Sequence, residues 1–243
     1  MNFATKTCKL ASILAVPAWL RALLQQRVAA GVEHAGVLRN LGSVRTVVDV
    51  GANRGQFALA ARHCFPAAQI ISFEPLAGPA AIYRSVFVKD KRTKLIEAAL
   101  GPETGEAIIH VSERDDSSSL LPITPRQNEL FPGTAEAGEK KIRVTRLSEH
   151  LPDKAIQAPA LLKLDVQGFE LQALAGCEDR LSRFAWVYAE LSFMELYSGQ
   201  ALADDVIAWL RERGFTLRGV YHMVYDREGR AVQADFLFGK KVG

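Results

Sequence analysis

The run Thr46-Val47-Val48-Asp49-Val50 passes directly into Gly51, and a stretch of helical periodicity, Gln56–Phe65, begins a few residues later. A short β-branched run without polar alternation suits a strand buried on both faces. Strand, glycine turn and helix in that order open a parallel α/β sheet, because a parallel neighbour is reached only by a crossover. The rest of the chain keeps the alternation. Strands are expected over Gln69–Phe73, Lys94–Leu100, Glu106–Ser112, Lys140–Leu147, Ala160–Val166 and Phe184–Leu191. Helices are expected over Pro79–Val88, Phe169–Ala175 and Ala203–Arg213, the last capped by Gly214. Phe215–Tyr221 and Ala234–Lys240 follow across the turn Asp226–Gly229 with no helix between, which implies one antiparallel strand at the sheet edge. The expectation is an α/β, Rossmann-like, doubly wound and mainly parallel sheet. Its ligands bind beyond the carboxyl ends of the strands.

Composition narrows the class. With 49% hydrophobic and 23% charged residues in 243, the chain is an ordinary globular domain. Thirty Lys and Arg against 27 Asp and Glu leave +3, too little to argue for nucleic acid. Cys8, Cys64 and Cys177 are odd in number and far apart, so neither a disulfide framework nor a zinc spacing is present, and a reducing, cytoplasmic setting is expected. The uncharged stretch Leu10–Leu20 is too short to span a bilayer and contains Pro17. Lys6 and Lys9 before it and Val28-Ala29-Ala30 after it imitate a signal peptide, but Arg21 and Arg27 interrupt that pattern. The reading is an amphipathic helix near residues 18–30. It belongs to an N-terminal segment, 1–40, that covers a main domain, 41–243, and that can rest on the inner face of a membrane or pair subunits. The polar stretch 113–139, with Pro122, Pro125, Pro132, Gly133 and Gly138, is expected as one long functional or mobile loop.

The chemistry is sought at the strand ends. In Asp49-Val50-Gly51-Ala52-Asn53-Arg54-Gly55-Gln56-Phe57, Gly51 and Gly55 allow close backbone approach, and Asn53 tolerates a left-handed conformation. Asp49 is placed to accept from an ammonium or to order the loop. The G-x-N-x-G pattern departs from the three-glycine dinucleotide fingerprint, which weakens a nicotinamide oxidoreductase reading. Glu74 ends the second strand 23 residues after Gly51, the position of an acid that grips a ribose diol. Small Ala98 and Ala99 leave room for a base. Lys163, Asp165 and Gln167 share one side of an extended segment, and charge there is costly unless paired or used. Glu190 ends the next strand, so Asp165 and Glu190 form a candidate carboxylate pair that orients a hydroxyl, acts as a base or holds a divalent cation. His222 is a further candidate base. His63 reads as a packing or surface residue, and His34, His110 and His150 have no companion pattern. In Asp115-Asp116-Ser117-Ser118-Ser119 the hydroxyls are candidate ligand contacts of a lid.

Val47–Phe57, Phe73-Glu74-Pro75, Ser117–Leu121 and Leu162–Glu170 together resemble the FkbM family of S-adenosylmethionine-dependent methyltransferases, and the run Lys163-Leu164-Asp165-Val166-Gln167-Gly168-Phe169-Glu170 is the most specific element. The resemblance covers about residues 45–240. It implies a seven-strand sheet with the last strand antiparallel. It also implies that Asp49, Gly51, Asn53 and Gly55 surround the methionine part of the cofactor, with Ala52 and Phe57 also in the cofactor site. Glu74 and Pro75 would then lie at the ribose, Ala98 at the adenine, and Ser118, Ser119, Asp165 and Gln167 close by. The implied reaction is methylation of a hydroxyl, on a sugar of a polysaccharide, glycolipid or natural product, with Asp165, Glu190 or His222 handling the proton. No spacing compels a metal, so metal-independent transfer is expected. A lipid, peptide or polyketide hydroxyl, or a non-enzymatic cofactor-binding module, are the rival readings.

Overall fold

The computed structural model describes residues 3–240, and the side chains from residue 9 onward. The readings made at the side chains of Lys6 and Cys8 lie outside the described residues. In chain order the elements are α1 (Phe3–Ala15), α2 (Pro17–Gln26), α3 (Ala35–Arg39), β1 (Thr46–Val50), α4 (Gln56–Cys64), β2 (Gln69–Phe73), α5 (Ala77–Val86), β3 (Thr93–Ile96), β4 (Ala99–Leu100) and β5 (Gly105–Ser112). They continue with α6 (Pro125–Leu130), β6 (Glu136–Thr145), β7 (Ala160–Leu164), α7 (Glu170–Leu181), β8 (Trp186–Ser192), α8 (Ala203–Glu212), β9 (Phe215–Tyr225) and β10 (Ala231–Lys240).

Seven strands form the main sheet in the order β3-β2-β1-β7-β8-β10-β9. β1 pairs in parallel with β2 and β7, and β7 with β8, whereas β10 runs antiparallel to β8 and β9. The antiparallel strand expected at the edge thus lies one place inside it, because β10 fills the gap that β9 leaves beside β8. The strand order reverses between β1 and β7, where crossovers leave for opposite faces and a crevice opens.

Alternating strand residues build two cores. Val48, Val50, Leu162, Leu164 and Val187 face α7 and α8. Val47, Leu161 and Tyr188 face α4 and the N-terminal helices. The N-terminal segment is therefore part of the fold. Trp19 is only 2% exposed and donates its indole N–H to the Leu59 carbonyl at 3.1 Å, and Ala22, Val28 and Ala30 are buried with it. The helix expected near 18–30 is α2, which starts with Pro17 and stops where Arg27 turns left-handed. Among the described residues no helix is long and apolar enough to cross a membrane.

Two other expectations change. The strand expected over Lys94–Leu100 is broken at Glu97-Ala98, and its second half, β4, joins a separate three-stranded sheet with β6 and β5. The stretch 113–139 is not one long loop: Thr124 caps α6 through its hydroxyl, and the β5–β6 hairpin extends back to Glu136.

Candidate active site

Register puts the polar strand residues side by side. Asp49 pairs with Lys163, and Lys163 with Tyr188, so three neighbouring strands place a carboxylate, an ammonium and a phenol in one row. Lys163 Nζ lies 3.3 Å from Asp49 Oδ1 and 3.5 Å from Asp165 Oδ2, and it donates to the Gly51 carbonyl at 3.2 Å. Burial alone would lower the lysine pKa, but the two carboxylates outweigh it and hold the cation. Asp49 is fully buried, so its role is to pair with Lys163 at the base of the turn.

The turn above β1 is locked to β2. Asn53 adopts the expected left-handed conformation, with φ 46°, and its backbone N–H donates to Glu74 Oε2 at 2.9 Å. The other Glu74 oxygen accepts from the Leu76 N–H at 2.8 Å. Glu74 is 5% exposed, and burial pushes its pKa up to about 7 despite those two amides. The glycines act differently from expectation. A Cβ on Gly51 would run into the carbonyl oxygen of Asp165, so the close approach is between the tips of β1 and β7. A Cβ on Gly55 would meet the rings of Phe87 and Tyr83, so Gly55 serves packing against α5.

At the tips of β7 and β8 the carboxylate pair forms. Gln167 Nε2 donates to Asp165 Oδ1 at 2.7 Å and to Glu190 Oε2 at 3.0 Å, and Gln233 Nε2 donates to Glu190 Oε1 at 2.9 Å. An amide thus bridges the two acids. Burial, then the charges of Asp165 and Asp235, raise the Glu190 pKa well above the usual carboxylate range. Glu170 accepts from the N–H groups of Val166 and Gly168, which fixes the turn that carries Gln167. Ser119 donates to the Gln167 carbonyl at 2.6 Å, and Ser118 accepts from the Ser112 N–H. Those hydroxyls stand at the site but are already tied to the protein.

These groups surround a cavity of about 630 Å³ at the carboxyl ends of the strands. Of the residues singled out from sequence, Gly51, Ala52, Asn53, Phe57, Glu74, Pro75, Ser118, Ser119, Asp165, Gln167 and Glu190 line it. Asp49, Gly55 and Ala98 do not. The wall expected at Ala98 is made instead by Ala99 and Leu100, because the chain turns out of the main sheet there. His222 lies in an adjoining cavity of about 270 Å³, which shares Glu33, His34, Lys163, Asp165 and Glu190 with the larger one. Its Nδ1 is 2.6 Å from Asp235 Oδ2, and that bond raises its pKa against the effect of burial.

Sequence reasoning missed His34, Asp235, Tyr188 and the Arg54–Asp115 pair, which closes over the glycine turn at 2.6 Å. Only Asp115, at the head of a polar run, carried a signal. The others meet through tertiary contacts between segments remote in sequence.

The comparisons with known proteins bear on the fold and the family. A crystal structure of a Klebsiella pneumoniae protein described as an O-methyltransferase superposes with a TM-score of 0.53 at 14% identity, covering 97% of both chains. The precorrin-6y C5,15-methyltransferase of Geobacter metallireducens superposes with a TM-score of 0.50 at 11% identity, covering 90% of this chain and 96% of the other. The fold is the doubly wound sheet of class I methyltransferases. Residues 49–217 match the methyltransferase FkbM domain, and the chain belongs to that family of methyltransferases. It is 28% identical over 160 residues to the 2-O-methyltransferase NoeI of Sinorhizobium fredii, covering 63% of this chain and 66% of that protein. It is also 28% identical over 194 residues to the 31-O-demethyl-FK506 methyltransferase FkbM of Streptomyces tacrolimicus, covering 70% and 72%.

Proposed function

We propose that this methyltransferase uses S-adenosylmethionine and methylates a hydroxyl of a sugar-bearing acceptor. The observation that carries the reading is one cavity with two unlike ends: the Asn53–Glu74 clamp on β1 and β2, and the Asp165–Gln167–Glu190 cluster on β7 and β8. The clamp suits the donor. Each Glu74 oxygen accepts one backbone N–H and keeps a lone pair, and a carboxylate raised toward neutrality is best relieved by two further O–H donors, which a ribose diol supplies.

When bound, the sulfonium provides an activated methyl group, so the protein's task is to place an acceptor oxygen behind it. Such orientation is worth up to roughly 7–11 kcal/mol. Asp165, the more open of the two acids, accepts the acceptor's hydroxyl hydrogen bond and takes its proton as the oxygen attacks. Glu190 positions Asp165 through Gln167. His222 is bonded to Asp235 and lines only the adjoining cavity, whereas Asp165 lines the main one, which leaves Asp165 as the better placed base. The polar wall of Lys9, Arg54, Arg114, Asp116 and Gln127 favours a polyhydroxylated acceptor over a lipid or polyketide hydroxyl. The printed names of the two relatives, each an O-methyltransferase, support oxygen as the nucleophile.

Before Glu33 the chain has no acidic residue, and Leu10, Leu14 and Leu24 are exposed on α1 and α2. That combination supports peripheral contact with the cytoplasmic face of an anionic membrane, where a glycolipid acceptor would be met. Calorimetry with S-adenosylmethionine and its demethylated product, followed by labelled methyl transfer to a glycan panel, tests the main reading. Heat with both ligands and label on a glycan are expected. Absence of heat sinks the donor assignment, and heat without glycan labelling sinks the acceptor class.

A further inference from the structure

We propose that His34, His222 and Asp235 form a binding site for one divalent first-row transition-metal ion on the wall of the smaller cavity. Three elements supply it. His34 ends the short 3₁₀ turn Val32–His34, His222 lies on β9, and Asp235 lies on β10. One ring nitrogen of His34, one of His222 and a carboxylate oxygen of Asp235 all lie within 4.8 Å of one another. Asp235 Oδ2 is 2.6 Å from His222 Nδ1 and 3.5 Å from His34 Nδ1. Ligand atoms sharing an ion at bonds of about 2.0–2.2 Å stand roughly 3–3.5 Å apart, so small side-chain shifts suffice to close the set.

The backbone is shaped for this convergence. Asp235 pairs with Tyr221, and Gln233 pairs with Val224, so His222 and Met223 together oppose Ala234 alone. In a regular ladder Tyr221 would share the face of Asp235, and His222 would point away. The extra residue turns His222 back, at the cost of a left-handed backbone with φ 50°, a conformation uncommon outside glycine. Strain of this kind persists where the surroundings impose it, and it clusters at functional sites.

The donor set selects the ion. Two imidazoles and one carboxylate suit Zn²⁺, Fe²⁺ or Mn²⁺, whereas Mg²⁺ and Ca²⁺ take oxygen ligands. Outer contacts that orient such ligands are in place. The Tyr188 hydroxyl lies 2.9 Å from Asp235 Oδ2, 3.1 Å from His34 Nδ1 and 3.5 Å from His222 Nδ1, so it holds the three groups together without an ion and would shift aside or join them as a fourth ligand when one binds. Three protein ligands leave coordination positions open, and the adjoining cavity also holds Asp165 and Glu190. There an ion would bind and acidify the acceptor hydroxyl. That role rests on the methyl-transfer reading, but the site itself does not. The other candidate cluster among the described residues, His110 with Glu136 and Glu139, sits on the open β5–β6 hairpin and serves as a control.

The test uses tag-free, full-length protein stripped with chelator and titrated with Co²⁺, followed by its visible absorption, and with Zn²⁺ in a calorimeter. One equivalent of each ion is expected. H34A and H222A should each weaken binding about tenfold or more, by analogy with losses at ligand shells elsewhere. H110A should leave it unchanged. Circular dichroism checks that the variants fold. Should H222A not fold, H34A, which lies outside the strained bulge, decides alone. No uptake by the wild-type protein overturns the proposal, leaving a hydrogen-bond cluster around Asp235. Uptake that survives H34A and H222A together, or that H110A abolishes, overturns it too.

Discussion

The two ends of the cavity are built in opposite ways. The Asn53–Glu74 end is made by one strand–turn–helix unit and the tip of the next strand, all between residues 46 and 76. The Asp165–Glu190 end needs β7, β8 and β10, and beyond it His34 from the N-terminal segment packs edge-on against Phe57, Tyr188 and His222. The first end is a local device that many sequences can encode in a short motif. The second is a meeting of distant segments. Both His222 and Asp235 lie beyond the stretch 49–217 that matches the family, and His34 lies before it.

The contrast is open to breakage in order of effect. If the ends are chemically separate, Asp165→Asn should lower methyl transfer by about 10²–10⁴-fold while cofactor affinity stays within a few fold, measured by turnover and calorimetry on the same preparation. Equal losses in both would merge the two ends. Trp19→Ala removes the buried anchor of the N-terminal helices and should cost about 3–5 kcal/mol in a denaturant melt. A loss under about 1 kcal/mol would mean that this segment is an appendage after all.

Glu74→Ala should act the other way from Asp165→Asn, weakening cofactor binding by about tenfold to a hundredfold. It should leave turnover at saturating cofactor nearly intact. The smallest effect is the pH dependence. Free Glu74 holds its proton up to about pH 7, and diol donors favour the ionised form, so binding must expel that proton. Cofactor affinity should therefore rise by up to about tenfold between pH 6 and pH 8 and then level off. A flat profile, or one that Glu74→Gln leaves unchanged, would remove Glu74 from the diol.

The legible part of the molecule follows the same division. The β1–Gly51–α4 unit, Glu74 at its strand tip, and Asp165 and Glu190 on adjacent strands could be placed from sequence, because strand periodicity and turn chemistry are local. Gly55 misled, since glycine marks any close approach and here the neighbours are the Tyr83 and Phe87 rings. Ala98 misled because β4 leaves the main sheet to pair with β6, a partner more than forty residues away.

Sequence alone determined the alternation of strands and helices, the glycine turn, the acids at the strand ends and the final hairpin without an intervening helix, all written in spacings of a few residues. Tertiary structure alone decided that a β-bulge turns His222 toward Asp235, that a turn at residues 32–34 brings His34 to the same carboxylate, and that Gln167 bridges the two acids. Those outcomes depend on register and packing between segments far apart in the chain, and no short-range pattern records which face a bulged residue will take.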